Sequence, residues 1–426
     1  MAHKAIIAKI DKVETIPGAD RIQIAYVLGE PVVVSKDLPV GFIGVFFPVD
    51  VQLSEQYCRE NNLFRNSEKN ADSDKKGFFD DNRKVRAQPF LKVRSSGYFS
   101  SLESLAFCGE VPTQLGTEFD ELNGVKICQK YITEQARKAI GNQRTKTVKA
   151  NAFPLFEKHS DTDNFRHFAA NIPVGALLSF HNKRHGTSMR VAKMRRTVEL
   201  PRWKKLINKI APIFPLTGDY EMVVGSRNVT LQQEYKEGFH GSESFRFEVG
   251  REIYPLLEDG MTVYGEIVGF VNGKAIMPNG DIKALKDKRY TEKYGNTNVF
   301  HYGCTEGEYK WHIYRITRQT VDGKNIDLSQ KEMEQWCENR GIESTFEVHP
   351  QMIYNGDEEA LRELVEKLTE RPEHLGEDHQ FSGMIGEGII VRVDTNKTNP
   401  KFFKCKSYPF RVMEGLADVV DMETVS

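Results

Sequence analysis

Paired cysteines, long apolar runs and net charge are what this 426-residue chain lacks. Its six cysteines, Cys58, Cys108, Cys128, Cys304, Cys337 and Cys405, form no C-x-x-C pair, so neither a disulfide framework nor a zinc ribbon is expected. No run of about 18 apolar residues occurs, which excludes a membrane-spanning helix. The start of the chain meets Lys9, Asp11 and Lys12 before a signal-peptide core could form, so a cytoplasmic protein is expected. The pattern GxxxxGK[ST] is also missing. Gly273-Lys274 has no glycine at the required upstream spacing, and a P-loop nucleotidase is excluded. The net charge of -1, from 59 Lys+Arg against 60 Asp+Glu, argues at first sight against nucleic-acid binding.

What is present is an ordinary globular composition, 39% hydrophobic, in a chain long enough for two or three domains. Residues 5–13, 22–28, 31–35 and 41–49 are short, rich in Ile, Val and Phe, and separated by turn chemistry such as Pro17-Gly18-Ala19-Asp20. Closely spaced strands of this kind predict a small barrel. Residues 67–86 are polar and predict a mobile loop, residues 90–125 a second set of strands, and residues 131–150 a basic linker. Beyond residue 151, strand patterns at 176–181, 220–224, 262–268, 310–316, 388–393 and 401–404 alternate with helical ones. Ser329 followed by Glu332 is a capping box, and Leu361, Leu364, Val365 and Leu368 fall on one helical face. Strands mixed with segregated helices give an α+β second domain.

Charge is unevenly spread. Residues 184–209 hold nine Lys/Arg, among them Arg190, Lys193, Arg195 and Arg196, and a single acid, Glu199. Such a tract suits the phosphate backbone of a nucleic acid. Residues 357–378 carry the counterweight, nine acids against three bases.

One segment concentrates chemistry: Ser179-Phe-His181-Asn182-Lys183-Arg-His185-Gly186-Thr-Ser188. An apolar strand runs into a lysine, and the glycine three residues on allows a tight turn. A lysine at a strand end can hold phosphate, and its neutral amine is a nucleophile. His181 and His185 lack an HExxH context and read as contact residues rather than metal ligands. Four further strand segments could complete a nucleotide pocket. They are Tyr264-Gly-Glu266-Ile-Val-Gly269, Tyr309-Lys-Trp311, Glu387-Gly388 and Phe402-Phe-Lys404-Cys-Lys406. Alternation in the last puts Lys404 and Lys406 on one face.

Taken in order, these segments resemble the covalent nucleotidyltransferase superfamily of ATP-dependent ligases and capping enzymes, RNA ligases most closely. Lys183-Arg-His-Gly-Thr-Ser is similar to the K-x-H-G-T-[NS] form of motif I, and Ser226-Arg227 to motif Ia. Glu266, the Trp311 strand, Glu387-Gly388 and Lys404-Cys-Lys406 stand for motifs III, IIIa, IV and V. The resemblance covers about residues 150–408. Residues 16–22, with Pro-Gly-Ala-Asp-Arg, also resemble an OB module that precedes the ligase domain in one RNA ligase family. Where many ligases carry an aromatic-Asp pair in motif IIIa, this chain has Tyr314-Arg315.

The resemblance implies a five-stranded OB-like barrel over residues 1–130, a linker over 131–150, and an adenylyltransferase domain of antiparallel sheets and helices over 151–426. It implies that Lys183 attacks ATP to give a lysyl-AMP, with Lys404 and Lys406 supporting the phosphate as catalytic residues. His181, Asn182, His185, Gly186, Arg227, Glu266, Trp311 and Glu387 would bind ATP, with Trp311 stacking on adenine. Glu387 would hold Mg²⁺ or Mn²⁺ through water. The partner implied is RNA, as a nicked or broken duplex or an RNA–DNA hybrid, with no membrane and no obligate protein partner. A non-catalytic OB-fold RNA-binding protein, a DNA ligase and a capping guanylyltransferase are the alternatives.

Overall fold

The Ile/Val alternation at the start of the chain is realised as strands Ala5–Thr15, Ile22–Val27, Glu30–Ser35 and Ile43–Phe47. The structure, a computed structural model, describes residues 4–49, 51–90, 93–131, 152–159, 162–198, 200–210, 213, 217–231, 244–320, 322–345, 347–369, 384–395 and 399–414. In the N-terminal module, Ala5–Thr15 pairs antiparallel with Ile22–Val27 on one side and Ile43–Phe47 on the other. Glu30–Ser35 and Tyr98–Ser101 end the path, and Glu118–Phe119 adds to the start of Ala5–Thr15. No ladder joins the two end strands among the described residues. They approach through isolated bonds, such as the Ser96 N–H to the Pro31 carbonyl at 2.6 Å. The sheet is thus a strongly curved half-barrel. Its two faces bury separate cores, one around Ile7, Val45, Phe47 and Tyr57 and one around Ile6, Ile10, Val32 and Phe46.

The polar segment expected to be a mobile loop is instead tied down. Asn70 is buried and its side chain bonds the backbone of Phe64 in both directions and the carbonyl of Lys75, while Phe79 enters the core. The expected linker, Tyr131 apart, lies outside the described residues.

Two antiparallel-dominated sheets build the rest, as expected for an α+β domain. In the first, Glu347–Ile353, Leu177–Lys183, Gly388–Asp394 and Lys401–Lys406 lie side by side, with a short parallel partner at Asp163–Asn164. In the second, the order is Thr217–Ser226, Thr187–Thr197, Met261–Val271, Tyr309–Gln319 and Asn325–Asp327. The chain passes from the first sheet to the second through Arg184-His185-Gly186, so the motif lysine sits where the sheets meet. Helix Gln330–Glu338 starts at the expected capping box, with the Ser329 hydroxyl and the Glu332 carboxylate each receiving a backbone N–H. Its Met333 and Trp336 pack on the core of the second sheet. Helix Glu358–Thr369 buries Leu361, Val365 and Leu368 against the first. No described helix is long and apolar enough to cross a membrane.

The N-terminal module is fastened to helices and turns beside the first sheet. Val49 and Ala87 share a cluster with Ile282, Leu285, Ile385 and Val412. Glu30, buried at the end strand, lies 3.8 Å from His167 Nε2 and 4.0 Å from Arg411 Nη1. Burial foremost, with the nearby cations, pushes His167 down to about 4, so the imidazole is neutral and the junction charge rests on the arginine and glutamate.

Candidate active site

Strand register assembles the site. Lys183 pairs with Gly388, which pairs with Lys406, and His181 pairs with Ile390, which pairs with Lys404. Because side chains alternate along a strand, His181, Lys183, Lys404 and Lys406 share one face of the sheet. Glu387, at the strand end beside Lys183, is almost fully buried. Lys183 Nζ donates to Glu387 Oε2 at 2.8 Å, Lys406 Nζ lies 3.2 Å from Oε1, and His185 Nδ1 lies 3.7 Å from Oε2. Lys406 also reaches Glu414 at 2.7 Å. Burial alone would raise the Glu387 carboxyl, but Lys183, Lys406 and His185 outweigh it and hold it well below the usual carboxylate range. Among the described residues no carboxylate forms an ion pair with Lys404, and Glu387 acts on it only at longer range. Burial, then the charges of Lys183, Lys406 and Arg227, pushes its ammonium down to about 8.

Two glycines permit this approach. Gly388 has φ 139° and a Cβ there would overlap the Cys405 carbonyl, while a Cβ on Gly186 would overlap the carbonyl of Ile267 and the side chain of Glu266. His185 is held between Phe300 and Phe410, ring centroids at 4.6 and 4.9 Å, and its N–H donates to the Tyr302 hydroxyl. Phe410 belongs to helix Tyr408–Met413, which begins just after Lys406, and its ring also lies 4.9 Å from Lys406 Nζ.

Beside Lys183 opens a cavity of about 280 Å³ between the two sheets. His181, Asn182, Lys183, Gly186, Arg227 and Glu266 line it, together with Thr187, Ser188, Tyr314 and Arg392. Burial pushes the Glu266 carboxyl up to about 7, against the opposing pull of Lys183. Burial likewise, with Arg392, takes His181 down to about 4, so it faces the cavity as a neutral ring. The donor set suits a nucleotide: carboxylates for hydroxyls, cations for phosphates, and aromatic walls for a base.

The sequence of residues 179–406, more than half of the chain, matches the profile of the RNA ligase family. The chain belongs to the RNA ligase family. Solved structures similar to this ligase include those of Naegleria gruberi RNA ligase. An apo variant aligns with TM-score 0.61 at 15% identity over 97% of this chain and 99% of that one. The structure with pyrophosphate gives TM-score 0.60 at 16% identity over 96% and 97%. A variant with AMP and Mn gives 0.58 at 16% over 95% and 96%. At these identities the likeness establishes a shared fold, and it extends through the N-terminal module. No curated protein matches the sequence.

Two expectations for the ligase are corrected by side-chain placement. Trp311 does not line the cavity. It is 7% exposed and packs with Ile267, Ile313 and Met333 in the core of the second sheet. The aromatic on the cavity side is Tyr314, whose hydroxyl lies 3.1 Å from Ser188 Oγ. Arg190 does not face solvent. It is 2% exposed, donates from Nε to the Ser226 carbonyl and from Nη1 to those of Phe156 and Glu157, and stacks on Phe156. Further along the same strand, Lys193 pairs with Asp259 and Arg196 with Glu221, and Arg195 is exposed over Tyr220.

Tyr302, Phe300, Phe410 and Arg392 join the site without having been singled out, and Tyr314, noted only for its place in motif IIIa, joins it as a cavity wall. The residue after Tyr314, Arg315, makes a buried bidentate pair with Asp327 at 2.5 and 2.9 Å and lies over Tyr264. Here an arginine–aspartate pair braces the strand where many ligases have an aspartate.

Proposed function

We propose that the ligase uses ATP to join RNA 3′-hydroxyl and 5′-phosphate ends, at nicks or breaks held in a duplex, with Lys183 as nucleophile. The observation that carries this reading is Lys183 Nζ at the edge of a nucleotide-sized cavity, flanked by Lys404 and Lys406. Lys183 Nζ, as the neutral amine, attacks the α-phosphorus. A P–N bond forms, the α–β anhydride bond breaks and pyrophosphate leaves. The AMP then passes to the RNA 5′-phosphate, regenerating the lysine, and the 3′-hydroxyl oxygen displaces AMP. Lys404 and Lys406, on the same sheet face as Lys183, would take up charge on the non-bridging oxygens. Glu266 and Arg227 fit the ribose, and Tyr314 fits the base.

A divalent metal fits the donors on hand. Among the described residues no group of three metal-binding side chains exists, so an all-protein cage is not the design. Glu387 instead suits Mg²⁺ or Mn²⁺, which keep much of their water and bind through one or two carboxylates plus substrate phosphates. Such an ion would neutralise phosphate charge.

The N-terminal module fits an OB-like role in gripping nucleic acid. Its half-barrel carries a groove lined by Arg21, Phe78, Lys84, Arg86, Tyr98 and Phe99, with Phe78 52% exposed. An exposed aromatic between cations suits a base and its backbone. The test of the whole reading is labelling with α-phosphate-labelled ATP and a divalent metal. Alkali-stable label on the protein, released by acid or by hydroxylamine, that chases into sealed RNA is expected. No label, or label from GTP alone, would overturn it.

A further inference from the structure

Between strands Gly280–Asp281 and Thr297–Asn298, which pair with each other, the chain makes a closed excursion. It holds a short helical turn, Ile282–Leu285, and helix Lys288–Tyr294. Its underside is apolar and fixed. Ile282 and Leu285 are buried against Val49 and Ala87 of the N-terminal module and against Ile385 and Val412, with Tyr290 and Tyr294 half-buried beside them. Asn298, fully buried, exchanges two hydrogen bonds with the backbone of Ile385. Val412 and Met413 belong to the helix whose Phe410 touches His185 and Lys406. The excursion is therefore one helix away from the catalytic lysines and spans the junction of the two parts of the ligase.

Its outer face is strongly basic. Lys283, Lys286, Lys288, Arg289 and Lys293 are all exposed. Among the described residues only Arg289 of these has an ion pair, with Asp287 at 2.7 Å, and Lys293 lies over the Tyr294 ring. Lys283, Lys286 and Lys288 pair with no carboxylate among the described residues. Like charges held on a rigid support repel one another. Lys286 adds a second cost: it ends the first turn at φ 53°, in left-handed backbone where glycine is the unstrained residue. By contrast, the basic strand at residues 190–196 has spent three of its four cations on internal partners.

We propose that this face clamps the phosphate backbone of the RNA next to the joint, holding the substrate across the junction while the ends react at Lys183. This rests on the RNA-sealing reading above, and the test separates the two. The variants are Lys286→Gly alone and K283S/K286G/K288S together, measured for RNA-free labelling by ATP and for binding to a nicked RNA duplex over a salt series. Each phosphate contact contributes slightly under one to the slope of log affinity on log salt. The triple variant should label normally, bind about tenfold or more weakly at moderate salt, and lose about two to three from that slope. Lys286→Gly should melt no lower than wild type and still bind more weakly, which a merely structural lysine would not do. Normal labelling with unchanged affinity and slope in the triple variant would overturn the clamp. Failure of the wild type to label would overturn the catalytic reading instead.

Discussion

Lys183 and Glu387, 204 residues apart in the chain, meet at 2.8 Å because Lys183 and Gly388 are partners in adjacent antiparallel strands. One more strand brings Lys406 to the other oxygen of the same carboxylate at 3.2 Å. Lys183, the nucleophile of the proposed reaction, thus rests in an ion pair whose acid is buried and whose third member is also a lysine. In the proposed reaction, phosphate groups arriving at Lys183 and Lys406 would compete with Glu387 for the same two cations, coupling nucleotide binding to release of the nucleophile through one carboxylate.

Glycine 388 makes that meeting possible. Gly388→Ala places a methyl group into the Cys405 carbonyl at a φ of 139°, so it should cost stability by about 2–4 kcal/mol and abolish labelling by ATP. Urea unfolding and the labelling assay check both. Full activity in a stable Gly388→Ala protein would show that the close strand approach is dispensable.

Glu266 should give nucleotide binding a pH dependence. Its carboxyl sits near 7 in the folded ligase against an ordinary 4.5. Ribose hydroxyls donate best to the ionised form, so KM for ATP should fall as pH rises through 7, and Glu266→Gln should flatten that profile. The stability effect has the opposite sense. A carboxyl raised on folding costs stability as pH climbs from about 4.5 to 7, by up to ~3 kcal/mol above that range, and Glu266→Gln should relieve the cost. Thermal melts between pH 5 and 8 measure it.

Tyr314 and Trp311 should separate binding from folding. Tyr314→Leu removes an aromatic wall of the cavity and should raise KM for ATP about tenfold, the loss of about 1.4 kcal/mol. Trp311→Leu empties part of the core and should cost about 2–4 kcal/mol of stability with a smaller change in KM. The reverse pattern would restore Trp311 as the base-stacking residue.

Arg190→Ala strips donors from the carbonyls of Ser226, Phe156 and Glu157 and should destabilise the ligase by about 1–3 kcal/mol. The folded fraction should bind RNA with an unchanged salt slope. A reduced slope would mean that Arg190 reaches phosphate after all.

Much of this was readable before any coordinates. The lysine pair at 404 and 406 shares a face because strands alternate, the capping box at Ser329 and Glu332 starts its helix where expected, and the acidic helix buries Leu361, Val365 and Leu368. What failed depended on parity. In the strand Tyr309–Gln319 aromatic and aliphatic residues occupy both faces, and a bulge against Tyr264-Gly265 shifts the alternation. The sequence therefore did not say whether Trp311 or Tyr314 faces the cavity. Counting positive charge from residue 184 to 209 gave the sign of a surface but not its direction, and Arg190 proved to point inward. Phe300, Tyr302 and Phe410 reach His185 only through tertiary packing, so no local signal marks them. The basic face at residues 283–293 was equally hidden, because its importance comes from what lies beneath it.

The most direct test of the account is to locate the nucleotide. The ligase is incubated with ATP and Mg²⁺ or Mn²⁺, without RNA, and the digested protein is mapped by mass spectrometry under conditions that preserve phosphoramidates. AMP on the peptide at Lys183, and none in Lys183→Ala, is the predicted result. AMP on a different residue, or an adduct that persists in Lys183→Ala, would contradict it.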